Sequence, residues 1–372
     1  MKLYTTLTLA GLGLGTAILS VQGCSSSSGT TTDGGTEGGA SAESERPPAK
    51  EGPATSSTTV KHYGLYTLSL GGADRSGAPS QTAWKKYGYD LDGKASTDKS
   101  TDHCKLKAGA AAKIKQDGDK GIDNSFGANI LPIIDTAAPD STKSINDSIR
   151  TGAFTVIIET TGFDDSAAQT NTGLKGQLFA GAKLTNPPKW DGTDEWPVLS
   201  ELLADGNSIA GGSKVKFADA YVNKGLFVSG TDATVSLSLS VSGAALTLSI
   251  NKATISFQKP AAAGGLDVAN GTIAGVLNTA ELISELKKVA GRISDTLCQG
   301  STFDQIAAQI AQASDIMSDG TNGDSSKECN GISIGVGFTA KALKAPTKVE
   351  PRGAPTPDPC AAPPPGDAGG GG

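Results

Sequence analysis

Histidine is almost missing from this chain: among 372 residues, only His62 and His103 carry an imidazole. A Ser/His/Asp triad would have to recruit one of them, and no nucleophile-elbow motif accompanies either. Glycine-rich phosphate loops are missing too. The five cysteines include no C-x-x-C pair, which removes support for zinc-finger and dithiol-redox readings. No basic cluster interrupts a balance of 32 Lys and Arg against 38 Asp and Glu, a poor match to nucleic acid. Nor is there an apolar run of about 20 residues, the length a bilayer-spanning helix needs. Charged residues are only 19% of the chain, and the space is taken by Gly, Ser, Thr and Ala around short apolar runs. Such a composition suggests an exported β-rich protein rather than a cytosolic helical enzyme.

The stretch from Leu7 to Cys24 is uncharged, follows Lys2, and is too short to span a membrane. A basic start, a short apolar run and small residues make a secretory signal over residues 1–23. With Val21 and Gly23 ahead of Cys24, it resembles a bacterial lipoprotein signal with its lipobox. That resemblance implies acylation of Cys24 as the first mature residue and a membrane partner held through lipid, since two or more acyl chains anchor stably. Ser25 stands where an inner-membrane retention signal of that family would place Asp, so the resemblance implies the outer membrane. Loss of Lys2 with the signal leaves 31 basic against 38 acidic residues, a net charge near −7.

Residues 25–59 contain no Val, Leu, Ile, Met or aromatic residue, which predicts that 24–59 is a lipidated, disordered tether. The expected domain, residues 60–345, is mainly β (α+β): an antiparallel β-sandwich or sheet with a few packed helices. Period-2 alternation marks strands around Tyr63–Leu70, Phe154–Ile158, Gln177–Leu184, Val215–Tyr221 and Leu226–Val228. It is clearest where Val235, Leu237, Leu239 and Val241 alternate with four serines, then over Leu246–Ile250, Ala253–Phe257 and Ile332–Phe338. Spacings of i,i+4 at Ile130/Ile134 and Ile145/Ile149 predict helices, the first shortened or kinked by Pro132. Two more are expected after the capping pairs Asn278/Glu281 and Ser301/Asp304. Residues 346–372 are Pro/Gly-rich, and disorder is expected there apart from Cys360.

With Cys24 acylated, Cys104, Cys298, Cys329 and Cys360 remain, and an oxidising compartment makes two disulfides the default among three pairings. Cys298 and Cys329 flank the last helix, so they are the expected pair; Cys104–Cys360 follows by elimination.

One constellation carries chemistry. Asp90-Leu-Asp92-Gly93 and Asp117-Gly-Asp119-Lys-Gly-Ile-Asp123-Asn124 set carboxylates at alternate positions beside glycines. Ca²⁺ takes six to eight oxygens, and tight D-x-D-G turns deliver them, so Asp90, Asp92, Asp117, Asp119 and Asp123 are candidate ligands; a solvated Asp/Gly turn is the plainer reading. The full EF-hand pattern is absent. Asp119–Asp123 resembles, over those few residues, the calcium loops of thrombospondin-type and dockerin-like repeats. The wider run Tyr87-Gly-Tyr-Asp-Leu-Asp-Gly, then Gly121-Ile-Asp-Asn-Ser-Phe-Gly and a Leu/Ile helix, resembles exported surface lipoproteins of myxobacteria and related bacteria, as does Gly271–Asn278. In that group the two motifs nearly adjoin, whereas here a segment with His103 and Cys104 intervenes. The group has no established activity, so the resemblance implies a surface lipoprotein and no chemistry.

Trp190 and Trp196 flank Asp191, Asp194 and Glu195, which makes this loop the candidate contact for carbohydrate or peptide; the competing reading is that the indoles pin the loop to the core. The function expected is a non-catalytic binding or scaffolding module in the envelope, with carbohydrate or an envelope protein as partner. The alternative is a hydrolase acting on polysaccharide or cell wall, since paired carboxylates for glycoside cleavage are invisible in sequence.

Overall fold

The computed structural model describes residues 44–137, 140–164, 166–230, 233–241, 244–260, 265–293, 295–298, 300–351 and 360. The expected signal, Cys24 and the tether up to residue 43 lie outside these. The chain is mainly β with four α-helices, as expected from its patterning. Its strands are β1 (Val60–Ser69), β2 (Thr155–Thr161), β3 (Asn171–Gly181), β4 (Val198–Leu199), β5 (Val215–Asn223), β6 (Leu226–Val228), β7 (Ala233–Val241), β8 (Ala244–Gln258), β9 (Val268–Asn278), β10 (Gly331–Leu343) and β11 (Val349–Glu350). The helices are α1 (Leu131–Ala137), α2 (Ser141–Arg150), α3 (Thr279–Ile293) and α4 (Gly300–Gln312).

Hydrogen-bonded neighbours run β3-β2-β1-β10-β9-β8-β6-β5, and β5 pairs back onto β3, so eight antiparallel strands close into a barrel. Closure removes the sheet edges that an open sheet would have to protect. The interior is filled by rings: Tyr63 of β1 meets Phe257 of β8, two strands that are not neighbours, so the contact runs across the barrel. Phe163, Phe227 and Phe338 complete the cluster around Phe257, which is fully buried. The two apolar runs expected at Leu246–Ile250 and Ala253–Phe257 form one strand, β8, bent at Lys252, whose φ is +50°. Its first half extends with β7 as a hairpin beyond the barrel pairing. The four helices and this hairpin line an open apolar pocket of about 70 Å³, with Leu70, Phe126, Leu286 and Phe303 in its wall and Ser141 as its one polar side chain.

Two boundaries and the cysteine pairing differ from the sequence reading. Residues 44–59 belong with the domain: Tyr221 Oη donates to Pro48 O (2.6 Å), and Thr55 N to Thr172 O (2.8 Å). Apolar content gave no hint of this, because the segment is held by hydrogen bonds to its backbone and by the ion pairs Arg46–Asp90 and Lys50–Asp219. At the other end, Val349–Glu350 pairs with β4, and Cys360 is tied by a disulfide, so the expected tail from residue 346 is partly fixed. The disulfides are Cys104–Cys329 and Cys298–Cys360, not Cys298–Cys329 and Cys104–Cys360. After α4 the chain turns back, Ile316 bridging Gly331 and Lys105 bridging Glu328, which carries Cys329 to Cys104 at a Cα separation of 5.2 Å. Nearness in sequence to Cys298 is overridden by that turn.

Candidate metal centre

A loop layer, residues 87–124, lies against the barrel wall and positions the acidic motifs. It approaches the backbone of β10 so closely that a Cβ on Gly335 would collide with Tyr87 O. Asn124 fastens it there: Nδ2 donates to Trp84 O, Tyr87 O and Gly335 O, and Oδ1 accepts from Gly127 N and Gly335 N, all at 3.0–3.1 Å. The layer covers β10 over Gly335, and β10 is buried on both faces over Gly331–Phe338.

Two turns converge inside this layer. Asp90 closes the first through Gly93, whose φ is +84° and whose N–H donates to Asp90 Oδ1 (2.5 Å); Lys94 N donates to Asp92 Oδ1 (2.9 Å). Asp123 N donates to Tyr89 O (3.0 Å) and Leu91 N to Asp123 Oδ2 (2.7 Å), which stitches the second turn to the first. Carboxylate oxygens of Asp90, Asp92 and Asp123 thereby lie within 4.8 Å of one another. Asp123 is only 3% exposed, and among the described residues no donor reaches its Oδ1. Asp117 stands beside them, its carboxylate accepting from Ser96 N, while the buried Ser96 hydroxyl has no partner.

The rest of the centre comes from far along the chain. Asn322 donates to Asp92 Oδ2 (2.7 Å) and accepts from Cys104 N (2.8 Å), so the Cys104–Cys329 disulfide anchors the group that orients Asp92. Asp315, buried after α4, accepts from the Ser333 amide (2.9 Å) and hydroxyl. Asp119 is exposed and outside the convergence, because the turn carries it outward while Gly121, at φ +77°, brings Asp123 inward. Of the five aspartates singled out by spacing, the structure brings Asp90, Asp92 and Asp123 together, sets Asp117 within reach of their charge and leaves Asp119 apart; Asp315, Asn322 and Ser333, which carry no local motif, join from elsewhere in the chain.

Burial makes these acids hard to ionise. It pushes Asp117 up to about 8, helped by the charge of Asp92, and pushes Asp315 up to about 7 against the two Ser333 hydrogen bonds. Asp123 is raised well above its ordinary value by burial and then by Asp92, and Asp92 is raised by burial. Lys94 directs its ammonium to Asp102 (2.8 Å). Among the described residues, that leaves Arg46 Nε, 3.4 Å from Asp90 Oδ2, as the one cation bonded to the cluster. Three carboxylates with oxygens within 4.8 Å of one another offer the all-oxygen donor set that a hard divalent cation takes.

The other candidates are structural. Trp196 is fully buried with Nε1 bonded to Ala182 O, and Trp190, 8% exposed, donates to Arg150 O (3.2 Å). The two indoles pack 5.3 Å apart and pin their loop to the core, so neither offers the contact face that the carbohydrate reading requires. Asp194 caps that loop by accepting from Lys189 N and Trp190 N. His62 bonds Glu159 (2.9 Å), and both ring nitrogens of His103 face carbonyl oxygens at 2.6 Å. No described helix is long and apolar enough to cross a membrane. Comparison with protein-family models, with curated proteins and with solved structures finds no match to this chain.

Proposed function

We propose that this protein is an exported, lipid-anchored component of the cell envelope, in the outer membrane, whose barrel is a non-catalytic binding or scaffolding module held in shape by Ca²⁺. The calcium part of the reading is carried by the convergence of Asp90, Asp92 and Asp123, two of them buried, with Arg46 at its edge, and the anchor part is supported by the sequence Leu7–Cys24. Unpaired buried charge is costly, and a divalent cation removes that cost while tying the two turns of the loop layer together. A filled interior supports a surface role over an internal ligand pocket, and two disulfides suit an oxidising compartment. Carbohydrate or an envelope protein remains the proposed partner class. The anchor half is tested by detergent phase separation: wild type should enter the detergent phase with an acyl mass on Cys24, and Cys24→Ala should not. Equal partition and no acyl mass would end that half.

A further inference from the structure

The first described residues of the chain sit on the acidic centre. Ser44 Oγ donates to Asp90 Oδ2, Arg46 Nε lies 3.4 Å from the same oxygen, and Asp90 N donates to Glu45 O (2.8 Å). The Arg46 guanidinium lies over Gly93, where a Cβ would meet it, so it covers the turn that carries Asp90 and Asp92. Its side chain is nonetheless half exposed, whereas that of Asp90 is 1% exposed.

Resting on the calcium reading above, we propose that Arg46 is an intramolecular competitor of the cation: guanidinium and divalent ion are alternative counter-charges for the same buried carboxylates. Asp90 Oδ1 is occupied by Gly93 N and Oδ2 by Ser44 and Arg46, so an ion that takes an Asp90 oxygen must share it with these donors. Two cations on one buried carboxylate repel, and the interaction grows as water is excluded. A half-exposed arginine can turn into solvent at small cost. The free Oδ1 of buried Asp123 gives the incoming ion a ligand that Arg46 does not satisfy, so the ion gains a contact the guanidinium lacks. Displacement is confined to the side chain, because Glu45, Pro48, Ala49 and Thr55 stay bonded through the backbone to Lys120, Tyr221, Asn223 and Thr172. Arg46 then sets the calcium concentration at which the centre fills.

The test is calorimetric titration of CaCl₂ into the full chain in detergent, wild type against Arg46→Gln, with phenylglyoxal labelling of arginines mapped by mass. Arg46→Gln should bind Ca²⁺ on the order of tenfold more tightly, the sign following from loss of a like charge. Ca²⁺ should raise labelling of Arg46 severalfold in the wild type and leave Arg150 unchanged. Equal or weaker binding by Arg46→Gln, or labelling of Arg46 indifferent to Ca²⁺, overturns the competition while the site stands. Absence of binding in both proteins sinks the calcium reading itself.

Discussion

Around Phe257 the molecule buries rings, and around Asp123 it gathers carboxylates of which Asp92 and Asp117 keep partial contact with solvent; the stability of the two regions answers to different conditions. The ring cluster joins strands that the alternating apolar pattern already defines, and its burial is favourable at any pH and without a ligand. The acidic centre joins residues 90–123 to residues 315–333, and its burial is favourable only once its charge is answered. The contrast sets a frame made by the hydrophobic effect beside a loop layer that, under the calcium proposal, depends on what binds it.

The largest effect is expected where the two regions are stapled together. Opening Cys104–Cys329, which spans 225 residues, should cost roughly 5 kcal/mol by loop-closure entropy, and less if the unfolded chain keeps structure. Urea unfolding of Cys104→Ser/Cys329→Ser checks it, and a loss under about 1 kcal/mol would mean that the staple adds little to the hydrogen bonds beside it. Phe257→Ala should cost about 3–5 kcal/mol, as buried Phe truncations do, with no difference between EDTA and Ca²⁺. A calcium-dependent loss at Phe257 would break the separation between the two regions.

A smaller effect concerns pH in the absence of metal. Asp117 and Asp315, raised to about 8 and about 7, keep their protons in the folded chain at pH values where the unfolded chain has released them. The folded state then binds more protons between about pH 4 and 8, so stability falls as pH rises through that window. In EDTA the melting temperature should therefore be lower at pH 8 than at pH 5.5. A flat or rising profile would mean that these carboxyls are not buried as described.

Legibility followed the same division. Period-2 runs at β1, β7, β8 and β10 and the Asn278 cap of α3, whose Oδ1 accepts from Ala280 N and Glu281 N, are local features, and each could be read from its own neighbours. Barrel closure could not, because it depends on β5 meeting β3 across the intervening β4 segment. β9 was hidden because Gly271 and Gly275 replace side chains where Phe338 and the β8 backbone press close, and both of its faces are covered. In the acidic centre, spacing revealed the two turns but not which way each carboxylate faces. Asp315 and Asn322 gave no sign at all, because their part is assigned by the return of the chain after α4.

The central claim, that the converging carboxylates of Asp90, Asp92 and Asp123 are completed by a divalent cation, is tested most directly by melting the wild type and Asp123→Asn at pH 8 in CaCl₂ and in EDTA. Wild type should melt higher in calcium, with a gain of about 2.7 kcal/mol at a hundredfold excess over Kd, and Asp123→Asn should lose that gain. Superimposable wild-type melts in calcium and EDTA would contradict the claim and leave a solvated acidic turn in its place.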